Sequence, residues 1–119
     1  MPKNIVVLVS GGGTNLQALI DAQRRGETTG GAITAVISSR PDAYALERAK
    51  TAGIPGYVVA RKDFPGNREM TQALVAKLRE LKADLVVLAG FMHILTEEMV
   101  QAYPNAILNV HPALIPSFC

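Results

Sequence analysis

An amide and an imidazole stand two residues apart where an apolar run ends: residues 107–112 read Ile-Leu-Asn-Val-His-Pro. Side chains alternate along a strand, so Asn109 and His111 project from the same face. Pro112 turns His111 away from helical backbone and ends the strand where the two side chains emerge. A buried amide or imidazole left unpaired costs about 1–3 kcal/mol. Two of them side by side in one apolar strand point to use rather than to packing alone. The alternative is a core polar pair satisfied by internal hydrogen bonds.

A second segment with chemical potential is Ser-Gly-Gly-Gly-Thr-Asn at 10–15. Consecutive glycines turn tightly and leave backbone N–H groups uncovered. At the start of a helix those groups and the dipole favour an anion by about 0.3–1 kcal/mol, and phosphate is the natural guest. The spacing is neither a full G-x-G-x-x-G, because residue 16 is Leu, nor a P-loop, because no Lys follows Gly13. A tight strand-to-helix turn without ligand is the plain alternative. The third segment, 90–95, is Gly-Phe-Met-His-Ile-Leu. Phe91, Met92, Ile94 and Leu95 can wall a flat aromatic ligand, with His93 supplying polar contact, or can simply tuck into the core. A dinucleotide reading rests on Arg40, which ends the second strand where a 2′-phosphate would sit, but it leaves Asn109 and His111 unexplained. No metal-ligand spacing is present, and the two histidines stand far apart in sequence.

The elements that must position these segments alternate strand and helix. Residues 4–9 form a continuous β-branched run, as in a strand buried on both faces. Thr14 stands at capping-box spacing from Gln17, Leu16, Leu19 and Ile20 share a helical face, and Gly26 ends the helix. Strands follow at 32–37, 56–59, 84–89 and 106–110. Between them, Asp42 caps a helix running to Ala52, Met70, Leu74, Leu78 and Leu81 mark a helix to Lys82, and Thr96 caps a short helix with Glu97 and Glu98 in its first turn. Alternation of this kind predicts an open, mostly parallel α/β sheet with helices on both faces. Ligands bind such sheets beyond the carboxyl ends of the strands, where strand order reverses. All three segments fall at strand carboxyl ends, and one cleft shared by Gly13, Asn109 and His111 is expected.

Bulk properties narrow the class. At 119 residues, 49% hydrophobic and 18% charged, the chain fits one domain, 1–119, and excludes disorder. A net charge of +2 without a basic cluster gives no support for nucleic-acid binding. No apolar run is long enough to span a bilayer, so no membrane partner is expected. The one cysteine, Cys119, allows no internal disulfide, and a cytoplasmic location fits.

With these three segments in order, the chain resembles the glycinamide ribonucleotide formyltransferases of de novo purine synthesis. They transfer a formyl group from 10-formyltetrahydrofolate to the substrate amine. The likeness runs from Ile5 to Phe118 and is carried by SGGGTN, VVLAGFMxIL and LNVHPALIPS. Shorter versions of the last segment occur in formyltetrahydrofolate hydrolases and methionyl-tRNA formyltransferases. The resemblance implies a Rossmann-like sheet, glycinamide ribonucleotide and formyl folate as small-molecule partners, and no metal. It implies that Gly13, Thr14 and Asn15 hold the ribonucleotide phosphate. Met92, His93, Ile94 and Leu95 would line the folate pocket, Arg68 would meet the folate carboxylates, Asn109 would donate to the formyl oxygen, and His111 would transfer the proton. An imidazole suits that task because its free pKa, about 6.5, lies near working pH.

Two departures accompany the likeness. Many members carry Arg where this chain has His93. Members also continue past P-S-F into a part that supplies a catalytic Asp, further folate contacts, strands and a long helix. The 119-residue chain is therefore expected to be the N-terminal part of the family fold, inactive or very weak alone, with an exposed sheet edge at 106–110 that invites self-association. A formyltetrahydrofolate hydrolase and a non-catalytic nucleotide-binding half-domain are the alternative readings.

Overall fold

In a computed structural model, which describes residues 3–26, 31–93 and 95–110, five parallel strands form one sheet. In chain order the elements are β1 (Lys3–Val9), α1 (Thr14–Arg24), β2 (Gly31–Ser38), α2 (Tyr44–Thr51), β3 (Gly56–Val58), α3 (Asn67–Glu80), β4 (Leu85–Ala89), α4 (Glu97–Ala102) and β5 (Ile107–Val110). A single 3₁₀ turn, Arg61–Asp63, precedes α3 and has no periodicity that a sequence pattern registers. The strand order is β3-β2-β1-β4-β5, so the chain reverses direction across the sheet between β1 and β4.

β1 occupies the centre because its residues suit a two-sided core. Val6, Val7, Leu8 and Val9 are 0–1% exposed. Val7 and Val9 pack with Leu16 and Ile20 of α1 and Ala45 and Ala49 of α2. Val6 and Leu8 pack on the other face with Met70, Leu74 and Leu78 of α3 and Met99 of α4. Helices therefore cover both faces, as the alternation predicts. At the amino edge, Asn4 fixes β1 to the turn before β4: its N–H donates to Asp84 Oδ2 at 2.8 Å and its Nδ2 to the Lys82 carbonyl at 3.0 Å. The β1–β2 register slips between Ile5 and Val6, skipping Thr34, whose hydroxyl oxygen is buried without a partner.

Three expected caps take other forms. Gly13, in left-handed backbone at φ 81°, caps α1 in place of Thr14, and Gln17 Nε2 donates forward to Asp21. Ala43 caps α2, because the Asp42 carboxylate is held by Arg40. Thr96 does cap α4, yet its hydroxyl bonds the Glu98 carboxylate rather than the helix backbone. Gly26 and Gly53 take positive φ beyond α1 and α2, as helix-ending glycines do.

Burial separates two leucines by consequence. Leu8→Ala is expected to cost about 2–5 kcal/mol in urea unfolding, because its site is closed on all sides. Leu108→Ala, at a side chain 54% exposed on the edge strand, is expected to change stability by no more than about 0.5 kcal/mol.

Candidate functional site

The reversal between β1 and β4 opens a crevice at their carboxyl ends. It is lined by residues 10–15 of the glycine turn with Arg40, Ala89, Gly90 and Met92, and encloses about 270 Å³. Two of the three sequence segments thus share one cavity. Among the glycines, Gly13 is required twice over. Its φ is 81°, and a Cβ there would lie 2.7 Å from Ala45 Cβ. Gly11 and Gly12 meet nothing within 4 Å of an added Cβ, so packing does not demand them. What their lack of side chain provides is bare backbone at the start of α1, suited to an anion.

The turn is held from behind. Arg48 Nε donates to the Gly12 carbonyl at 2.7 Å and Nη1 to Gln17 Oε1 at 3.3 Å. Its guanidinium also stacks 5.0 Å from the Tyr44 ring centroid. From inside, Ser10 Oγ accepts the Met92 N–H at 2.9 Å and lies 2.8 Å from Ser39 Oγ. His93 Nε2 meets Ser39 Oγ at 3.0 Å. Serines that end β1 and follow β2 are thereby tied to the loop after β4. Sequence reading passes over Ser10, Ser39 and Arg48 as site-building residues. Ser10 stands before the glycines rather than between them, and nothing in the spacing joins residue 39 or 48 to the turn.

His93 faces a second hollow, of about 620 Å³, with Ser39, Arg40, Pro41, Asp42, Arg61 and Lys62. Burial first, and the Arg61 guanidinium second, hold its pKa below the ordinary imidazole value of 6.5. Arg40 is engaged by Asp42 through two hydrogen bonds of 3.2 and 3.1 Å, so a 2′-phosphate at Arg40 would have to compete with a carboxylate. Arg40, by the same contact, holds Asp42 below the usual carboxylate range.

The remaining candidates separate. Met92 is 80% exposed at the crevice mouth. Phe91 and Leu95 pack against the core beneath α3 and α4, as the plain reading of this loop allows. Arg68, on the first turn of α3, forms an ion pair with Glu98 at 2.6 Å and is largely exposed. Thr96, through its hydroxyl, and Arg68 keep the Glu98 carboxyl below its usual range. Ile94 and His111 lie outside the described residues. Asn109 is exposed, so the cost of an unpaired buried amide does not apply to it. β5 is an edge strand, with β4 on one flank and no described strand on the other.

The expected single cleft needs correction. Asn109 stands opposite Leu88, which stands opposite Leu8, and partners across parallel strands share a face. That face carries α3 and α4, whereas Gly13 caps a helix on the other. The amide and the glycine turn therefore share the carboxyl edge but not a face. Any ligand that reaches both passes over the strand ends.

The sequence profile described as "Formyl transferase" matches residues 3–119. Phosphoribosylglycinamide formyltransferase of Haemophilus influenzae is 49% identical over 98% of this chain and 54% of its own length. The human trifunctional purine biosynthetic protein adenosine-3 is 42% identical over 96% of this chain and 11% of its own. The crystal structure of glycinamide ribonucleotide transformylase 1 from Symbiobacterium toebii superposes with a TM-score of 0.87 at 44% identity. The match covers 98% of this chain and 55% of that one. The chain spans about half the length of the curated bacterial relatives it matches.

Two measurements check this geometry. Gly13→Ala is expected to lower unfolding free energy by at least about 1–2 kcal/mol from left-handed backbone alone, with the Ala45 clash adding to it. Gly12→Ala is expected to leave stability nearly unchanged. For His93, the folded pKa lies below the unfolded one, so the unfolded chain binds more protons between the two values. The fold is therefore expected to lose stability as pH falls through 6.5 toward the folded value. His93→Gln should flatten that part of the stability-against-pH curve measured by urea unfolding.

Proposed function

Since the chain belongs to the formyl transferase family, we propose that it carries the ribonucleotide-binding and part of the catalytic apparatus for formyl transfer. In this reading the donor is 10-formyltetrahydrofolate and the acceptor is the amine of glycinamide ribonucleotide. The observation that carries it is the crevice between β1 and β4, where the glycine turn, Gly90 and Met92 share one cavity. Gly13, Thr14 and Asn15 hold the phosphate there. The folate approaches from the α3/α4 side, where Arg68 and the exposed amide of Asn109 stand. Glu98 keeps Arg68 in place until a folate carboxylate competes for it. A location at the strand ends lets two substrates meet across the edge from opposite faces of the sheet.

The chemistry assigned to this chain's residues is short. The amine nitrogen attacks the formyl carbon, and negative charge gathers on the formyl oxygen. Asn109 donates a hydrogen bond to that oxygen. His111 takes the proton that the amine sheds and passes it to the leaving folate nitrogen as the carbon–nitrogen bond to folate breaks. Loss of one donor to such an oxyanion costs about 10²–10³ in kcat.

The test is a formyl-transfer assay on the protein that carries this sequence, following formylated amine and free formate separately. Formylated glycinamide ribonucleotide is the expected product, and Asn109→Ala should lower kcat by about 10²–10³ with a smaller change in KM. Formate as the main product, made at the same rate without the amine, would replace this reading with hydrolysis. Phosphate binding without folate binding would leave only a nucleotide-binding module.

A further inference from the structure

Ser10 Oγ is held by two partners at the crevice. The residue is 3% exposed, yet it lines the cavity formed with the glycine turn. A serine hydroxyl has two acceptor sites and one proton. The Met92 N–H at 2.9 Å fills one acceptor site. Ser39 Oγ, 2.8 Å away, either fills the second or takes the Ser10 proton. Which of these holds is decided one residue further on, because Ser39 Oγ also meets His93 Nε2 at 3.0 Å.

The hydroxyl pair can run in two directions. With a proton on Nε2, His93 donates to Ser39, Ser39 donates to Ser10, and Ser10 must give its own proton to something else. With Nε2 bare, Ser39 donates to His93, Ser10 donates to Ser39, and Ser10 offers the cavity no proton. The charged oxygens of an oxyanion accept hydrogen bonds, so one placed against Ser10 selects the first direction.

We propose that Ser10 binds an oxyanion in the glycine-turn cavity as a hydrogen-bond donor, and that Ser39 and His93 are positioning residues that enforce this direction. The proposal rests on the reading of the glycine turn as a phosphate site and adds a side-chain donor to it. The surroundings of His93 favour the neutral ring in this role. Arg61 and Lys62 from the 3₁₀ turn and Arg40 from the loop after β2 face the same hollow, and among the described residues its one carboxylate, Asp42, is already held by Arg40. The donor to Ser39 is then the Nε2–H tautomer rather than an imidazolium.

Phosphate titration of the full protein by calorimetry, with a double-mutant cycle, tests the direction. His93→Gln keeps an N–H donor for Ser39 and should bind inorganic phosphate within about threefold of the parent. His93→Glu offers only acceptors, reverses the pair and adds a negative charge. In the Ser39→Ala background the pair is cut, and His93→Glu should act through charge alone. The penalty of His93→Glu should be about tenfold larger with Ser39 present, the scale of one hydrogen bond to a charged group. Equal penalties in the two backgrounds would overturn the relay while leaving the phosphate site intact. Absence of phosphate binding by the parent would overturn both. Nitrogen-15 NMR of the parent's imidazoles needs no variant: with phosphate bound, His93 should show the Nε2–H form, and an Nδ1–H form overturns the proposal.

Discussion

The carboxyl edge is built outward from β1. Its residues Val6 to Val9 have almost no contact with solvent, and it pairs with β2 on one flank and β4 on the other. A strand closed on both faces and both flanks has little freedom to shift, because a one-residue slip would turn every side chain to the wrong face. Ser10 is the next residue, and its place is inherited from that pairing. The glycine turn and the Met92 N–H are located relative to Ser10, which makes the cavity a property of the sheet rather than of a loop.

Much of this architecture can be read from residue order. The β-branched runs place all five strands within a residue or two, and the spacing of Met70, Leu74 and Leu78 places α3. Glycines at 26 and 53 mark helix ends because left-handed backbone is costly for other residues. Capping is read less well. Asp42 and Thr96 look like capping acceptors, but Arg40 engages the Asp42 carboxylate and the Thr96 hydroxyl turns to donate to Glu98, which depends on side-chain geometry. The 3₁₀ turn at Arg61–Asp63 is too short to show a period.

The site is legible in part and for a definite reason. Chemistry-bearing residues at strand ends can be recognised from a polar residue that interrupts an apolar run, as Asn109 does. The face that such a residue joins depends on register, and β4–β5 register puts Asn109 opposite Leu88, on the side away from α1. Ser39 and Arg48 are invisible for another reason. Each contributes to the crevice through contacts with distant segments, across 29 residues for Ser39 to Ser10, 54 for Ser39 to His93 and 36 for Arg48 to Gly12. His93 sits in an apolar loop that resembles ordinary core, and its meaning lies in the serine it meets.

The clamp between Asn4 and the turn before β4 has a consequence for how the chain acquires its shape. Its two halves are 80 residues apart, so the central strand gains its second neighbour only after that stretch has been made. Until Leu85–Ala89 leaves the ribosome, β1 has only β2 to pair with, and Val6 to Val9 stand at an open margin. Loop-closure entropy makes the pairing with β4 slow, and a bare apolar margin attracts other nascent chains. The interval before β4 arrives is thus when this margin is most open to pairing with another chain.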